Sequence, residues 1–148
     1  YTLSLHDALP EDRKSVSKAY LESHFGITVN GIASPYGDVD QRVIDKIKTI
    51  YSYHRGVQSD FNYANTFDKY NLLVQNLELS TTTAEVQSWV NYAKNNHAWL
   101  ILVYHQVDDL GGQYSVTPAN FNAQLNAITQ SGIKVVTIDE AMGLINIP

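Results

Sequence analysis

The stretch Ala98–His105, AWLILVYH, decides the fold. Seven apolar or aromatic residues run without a polar break into a histidine. A half-exposed strand alternates apolar and polar residues, so an unbroken run is expected where a strand is covered on both faces, as in a parallel sheet. IKVVTI (133–138) reads the same way. Between the two runs lies TPANFNAQLNAITQSG (117–132), with Thr117 as cap, Pro118 at the first helical position and Gly132 as stop. Strand, helix and strand follow one another.

The pattern extends upstream. TTAEVQSWVNYAKNN (82–96) opens with Thr82 and Glu85 at capping-box spacing. LLVQNLEL (72–79) and YHRGV (53–57) read as strands, with a polar and aromatic loop at 58–71 between them. VDQRVIDKIKTIY (39–51) places Val43, Ile44, Ile47 and Ile50 on one helical stripe, with Asp38 as the expected cap. ITVNGIAS (27–34) reads as a strand, and SVSKAYLESHFG (15–26) as a helix stopped at Gly26. DEAMGLI (139–145) is expected to close the chain as a short helix. Alternating elements with doubly covered strands predict an α/β fold, a partial (β/α) barrel with a mostly parallel sheet.

Composition excludes several classes. With 15 acids against 10 bases in 148 residues the chain is mildly acidic, whereas a nucleic-acid backbone calls for a basic face. No apolar run approaches the ~20 residues that span a bilayer. Cysteine is absent, which removes disulfides and thiolate metal sites. Residues 1–16 fit poorly with the rest: YTLSLHDALP and DRKSV resemble translated sequencing-adapter ends. They are expected to be non-native, which sets His6 and Asp7 aside and leaves 17–148 as the informative part of a longer protein.

In parallel α/β folds, sites form at the carboxyl ends of strands. That rule selects Ser34, Pro35, Tyr36 and Gly37 after the first strand, His105 after the central one, and Thr137 and Asp139 after the last. An imidazole ordinarily titrates near neutrality and suits proton transfer, although a core histidine held by a carbonyl also fits position 105. In the SPYGD turn, Pro35 and Gly37 suit a backbone that aims the Tyr36 amide outward, where it could stabilise an oxyanion. Asp108 could orient the imidazole or bind a sugar hydroxyl; a solvated loop is its plainer role. His54 and Arg55 read as structural or ion-paired, and Trp89 and Trp99 as core. The chain has no G-x-S-x-G elbow, P-loop, G-x-G-x-x-G or H-x-x-x-H spacing.

GIASPYGDVDQRVIDKIKTIY, LILVYHQVDDLGGQYSVTPANFNAQL and GIKVVTIDEAM together resemble the second half of a polysaccharide deacetylase domain of the NodB-homology family. The resemblance spans residues 17–148 and implies an incomplete barrel whose N-terminal strands are missing. It implies a hydrolase that removes acetyl groups from amino-sugar polymers such as chitin or cell-wall glycan. It also implies an extracellular or cell-envelope setting, and zinc or another divalent metal in the full-length parent. By the same resemblance His105 matches the general acid, Tyr36 the residue whose amide serves the oxyanion, and Val103 the apolar lining for the acetyl methyl. Ser34 and Pro35 belong to the substrate-binding turn. The motifs carrying the base aspartate and the metal ligands have no match here, so the chain by itself is expected to bind no metal tightly and not to deacetylate. The family's turn has an arginine where this chain has Ala33, and Arg55 on the next strand is the expected substitute. Ala33 keeps open a non-catalytic carbohydrate-binding relative. A half barrel also leaves a sheet edge unpaired, which invites self-association.

Overall fold

The computed structural model describes residues 12–145. His6, Asp7 and most of the segment expected to be foreign lie outside the described residues. Helices α1 (Asp12–Phe25), α2 (Gln41–Lys48), α3 (Thr83–Asn95), α4 (Pro118–Gln130) and α5 (Ile138–Leu144) alternate with eight short strands. Four of these, β1 (Gly31–Ala33), β2 (Tyr53–Ser59), β4 (Leu72–Asn76) and β6 (Leu102–Val103), form a parallel sheet in the order β1-β2-β4-β6. The sheet curls into a half-barrel. β3 (Asn62–Tyr63) pairs antiparallel with β5 (Ala98–Trp99), and β7 (Gln106–Val107) pairs with β8 (Ser115–Val116).

The period-2 alternation and the register assign two faces. Gly31 pairs with Tyr53, Ala33 with Arg55, Arg55 with Leu72, and Asn76 with Val103, so these residues share one face. It packs as a cluster of Leu72, Val74 and Ile101 with Tyr53, Phe67, Trp99, Val103 and Ile138. The other face carries Leu102 and Tyr104, which join Leu77 and Val116 against Val86, Val90 and Trp89 of α3 and Phe121 and Ile128 of α4. Helices cover this second, convex face. The first face is the concave lining.

Most local signals act as read. Thr82 and Glu85 form a reciprocal capping box, Thr117 caps α4, and Gly26 and Gly132 take positive φ just past their helices. The stripe on α2 turns Ile47 fully inward. Its cap, however, is Asp40 and not Asp38: the Asp40 carboxylate accepts from the Val43 N–H at 2.9 Å.

Three expectations about the strands are corrected. The strand expected at 27–34 is paired only at Gly31–Ala33. The run 98–105 is not one strand. Residues 98–99 leave the sheet to pair with β3, and only 102–103 join β4. The cause is Asn62, buried between the two segments: its side-chain N–H donates to the Leu73 carbonyl at 2.8 Å and weakly to the Trp99 carbonyl at 3.4 Å, and its side-chain oxygen accepts from the Leu73 N–H at 2.9 Å. The amide occupies the place a neighbouring strand would take. No strand forms at 133–138 among the described residues; the segment runs unpaired and Val135 is 75% exposed, because only the two-residue β6 bounds that side of the sheet. The helix expected at 15–26 forms as α1, with Val16, Tyr20 and Phe25 facing solvent.

Candidate functional site

Parallel strands end on the same side of a sheet, so the segments after β1 and β6 emerge at one mouth of the half-barrel. The turn Pro35–Gly37 follows β1 as one turn of 3-10 helix. It closes with the Gly37 N–H donating to the Ser34 carbonyl at 3.1 Å and the Asp38 N–H to the Pro35 carbonyl at 3.3 Å. Tyr36 sits at φ 58°, ψ 7°, left-handed backbone that costs a residue with a Cβ about 1–2 kcal/mol. Its side chain is 88% exposed, and its N–H has no acceptor among the described residues. Such an amide is free to donate to a ligand oxygen. Gly37, at φ 70°, lies so close to Val57 that a Cβ would come within 2.3 Å of its methyl.

On the far edge, Val103 is half-buried on the concave face, and His105 follows two residues after β6 ends. His105 is exposed and stacks obliquely on Tyr114 at 4.9 Å. It is therefore not a core histidine. That description belongs to His54, which is fully buried on the convex face. Its Nδ1 lies 2.9 Å from the Tyr70 carbonyl and its Nε2 2.9 Å from the Ser34 hydroxyl. A carbonyl only accepts, so Nδ1 carries the hydrogen. The Ser34 hydroxyl thus turns toward His54, away from the concave lining.

β1 and β6 are separated by two strands, so their ends lie about 14 Å apart along the sheet at three ~4.8 Å spacings. Curling shortens the path across the mouth. Arg55 stands between them on the concave face, directly beside Ala33. It is half-buried, which lowers its pKa by desolvation, and it donates to the Gly56 carbonyl at 3.2 Å with no carboxylate at ion-pair distance among the described residues. Asp108 accepts from the Leu110 N–H at 3.0 Å, which commits one of its oxygens to the loop. Of the ends expected from 133–138, Thr137 caps α5 and Asp139 accepts from the Tyr53 hydroxyl at 2.9 Å. Burial and that carboxylate push the Tyr53 phenol up to about 12.

Two features escape the sequence. Asn76 ends β4 on the concave face opposite Val103, its amide donating to the Val57 carbonyl at 3.0 Å; a polar residue closing an apolar strand was the available signal. A cavity of about 400 Å³ opens on the other side of the sheet, lined by Val39, Ile44 and Lys48 against Gln58, Asp68 and Asn71. Neither Tyr36 nor His105 lines it.

Among the described residues, no three His, Asp or Glu side chains lie together in a group that could hold a metal ion. The residues present do not fit the zinc site that the resemblance implies. No helix of the described residues is long and apolar enough to cross a membrane. Compared with family models, curated proteins and solved structures, the chain matches none.

Proposed function

We propose that this chain contributes the general-acid and oxyanion side of a polysaccharide N-deacetylase, a hydrolase acting on the acetamide groups of amino-sugar polymers such as chitin or cell-wall glycan outside the cell. The observation that carries the reading is the shared mouth: the exposed imidazole of His105 and the Tyr36 N–H, unbonded among the described residues, follow strands that end on one side of the half-barrel. In the reaction, the C–N bond of the acetamide breaks after hydroxide adds to the carbonyl carbon. The Tyr36 N–H donates to the carbonyl oxygen as it gains negative charge. His105 gives a proton to the departing nitrogen, which leaves as the free amine. Val103 supplies an apolar wall for the acetyl methyl, and Arg55, beside Ala33, contributes the cation at the turn. Asp108 flanks the sugar, and Pro35 holds the turn that meets it.

A second reading, a carbohydrate-binding relative without catalysis, is favoured by Ala33. NMR titration of the chain with chitin oligosaccharides tests the site common to both. Shifts confined to Val103, His105, Tyr36 and Arg55 are expected; shifts elsewhere, or none, overturn it. Acetate release by the chain alone is expected to be nil, and measurable release would refute that. The outer side of β1, unpaired among the described residues, and the solvent-facing Val16, Tyr20 and Phe25 favour self-association, to be read by sedimentation.

A further inference from the structure

We propose that Ser34 and His54 are positioning residues for the main-chain nitrogen of Tyr36; this rests on Tyr36 being the oxyanion donor. A left-handed residue bearing a Cβ must be held by its surroundings. The Tyr36 side chain, 88% exposed, does not hold it, and Pro35 is exposed as well. The turn closes on the Ser34 carbonyl, and the Ser34 side chain ties that residue to the interior. Its hydroxyl meets His54 Nε2 at 2.9 Å. The ring is fixed in turn by the Tyr70 carbonyl on Nδ1, and its backbone N–H donates to the Lys69 carbonyl at 2.8 Å. A continuous chain of bonds thus runs from the segment before β4, through a buried imidazole in β2, to the strained turn after β1. His54 lies on the face opposite Tyr53 and Arg55, and the Ser34 hydroxyl turns toward it. They act on the site only through the backbone they fix.

The test uses NMR on the 148-residue chain with Ser34→Ala and, as the conservative variant, Ser34→Thr, which keeps a hydroxyl. Ser34→Ala is expected to abolish the strong intraresidue H–N to Hα Overhauser contact of a left-handed Tyr36 and to move its amide resonance by more than a linewidth, while Ser34→Thr restores both. A merely structural bond would lower the melting temperature yet leave the Tyr36 backbone where it is, and that result overturns the proposal. Adding N,N′-diacetylchitobiose separates it from the functional reading. If Ser34→Ala moves Tyr36 but the sugar never perturbs the Tyr36 amide of the unaltered chain, the positioning role stands and the deacetylase reading falls. If the sugar perturbs Tyr36 equally in both chains and its φ is unchanged, the positioning role falls.

Discussion

Replacing Asn62 is expected to destabilise the sheet strongly. Its amide satisfies both the N–H and the carbonyl of Leu73, in the middle of β4. Leaving a buried backbone donor or acceptor without a partner costs about 1–3 kcal/mol each. Asn62→Ala strands two such groups and leaves a small void, for a loss of about 4 kcal/mol, or about 12–16 °C in Tm for a domain of this length. Asn62→Leu fills the volume but not the bonds, and should fall nearly as far. Urea denaturation read by circular dichroism, with the m-value held constant, gives the difference directly. A loss below about 1 kcal/mol in Asn62→Leu would mean that the chain re-pairs without the amide. In that case Asn62 is not what divides residues 98–105 between two partners.

The two histidines separate cleanly. His54→Ala removes a fully buried ring and its two bonds and should cost about 3–5 kcal/mol, whereas His105→Ala at an exposed position should stay within about 0.5 kcal/mol; thermal melts compare them. The Tyr53 phenol, raised to about 12 by burial and by Asp139, favours the folded chain up to its ordinary value of 10.0. That contribution should disappear as pH rises from there toward 12, and Tyr53→Phe should remove this part of the alkaline loss in pH-dependent melts. A Cβ at Gly31 would come within 1.8 Å of the Tyr53 ring, so Gly31→Ala should swing the ring out, break its bond to Asp139 and return the phenol toward its ordinary pKa. An ultraviolet tyrosinate titration unchanged by Gly31→Ala would show that the ring has another place to lie against the sheet.

The helices were legible because their determinants are local. Thr82 with Glu85, Thr117 with Pro118, and the Val43–Ile44–Ile47 stripe lie within one or two turns of the residues they govern. Asp40 in place of Asp38 is a slip of the same local kind, since either aspartate precedes the stripe. The strands fared less well because a strand is completed by a partner remote in sequence. Nothing around residue 99 announces Asn62, and an apolar segment such as 133–137 becomes a strand only beside a neighbour long enough to pair with it. At the mouth, chemical type marked His105 and Tyr36, but the left-handed φ fell on Tyr36 as well as on Gly37. His54 read as structural from its place at the start of a strand, but its partner Ser34, 20 residues away, was not visible in the sequence.

The bond between Tyr53 and Asp139 joins residues 86 positions apart. A seven-residue helix such as α5 does not persist alone in water, so it forms only when Ile138 finds the lining made by Leu72, Val74 and Ile101. Contacts of such long sequence separation are slow to close. During synthesis the concave lining therefore waits, bare and adhesive, until α5 has left the ribosome, and that interval is when the nascent chain most needs a chaperone.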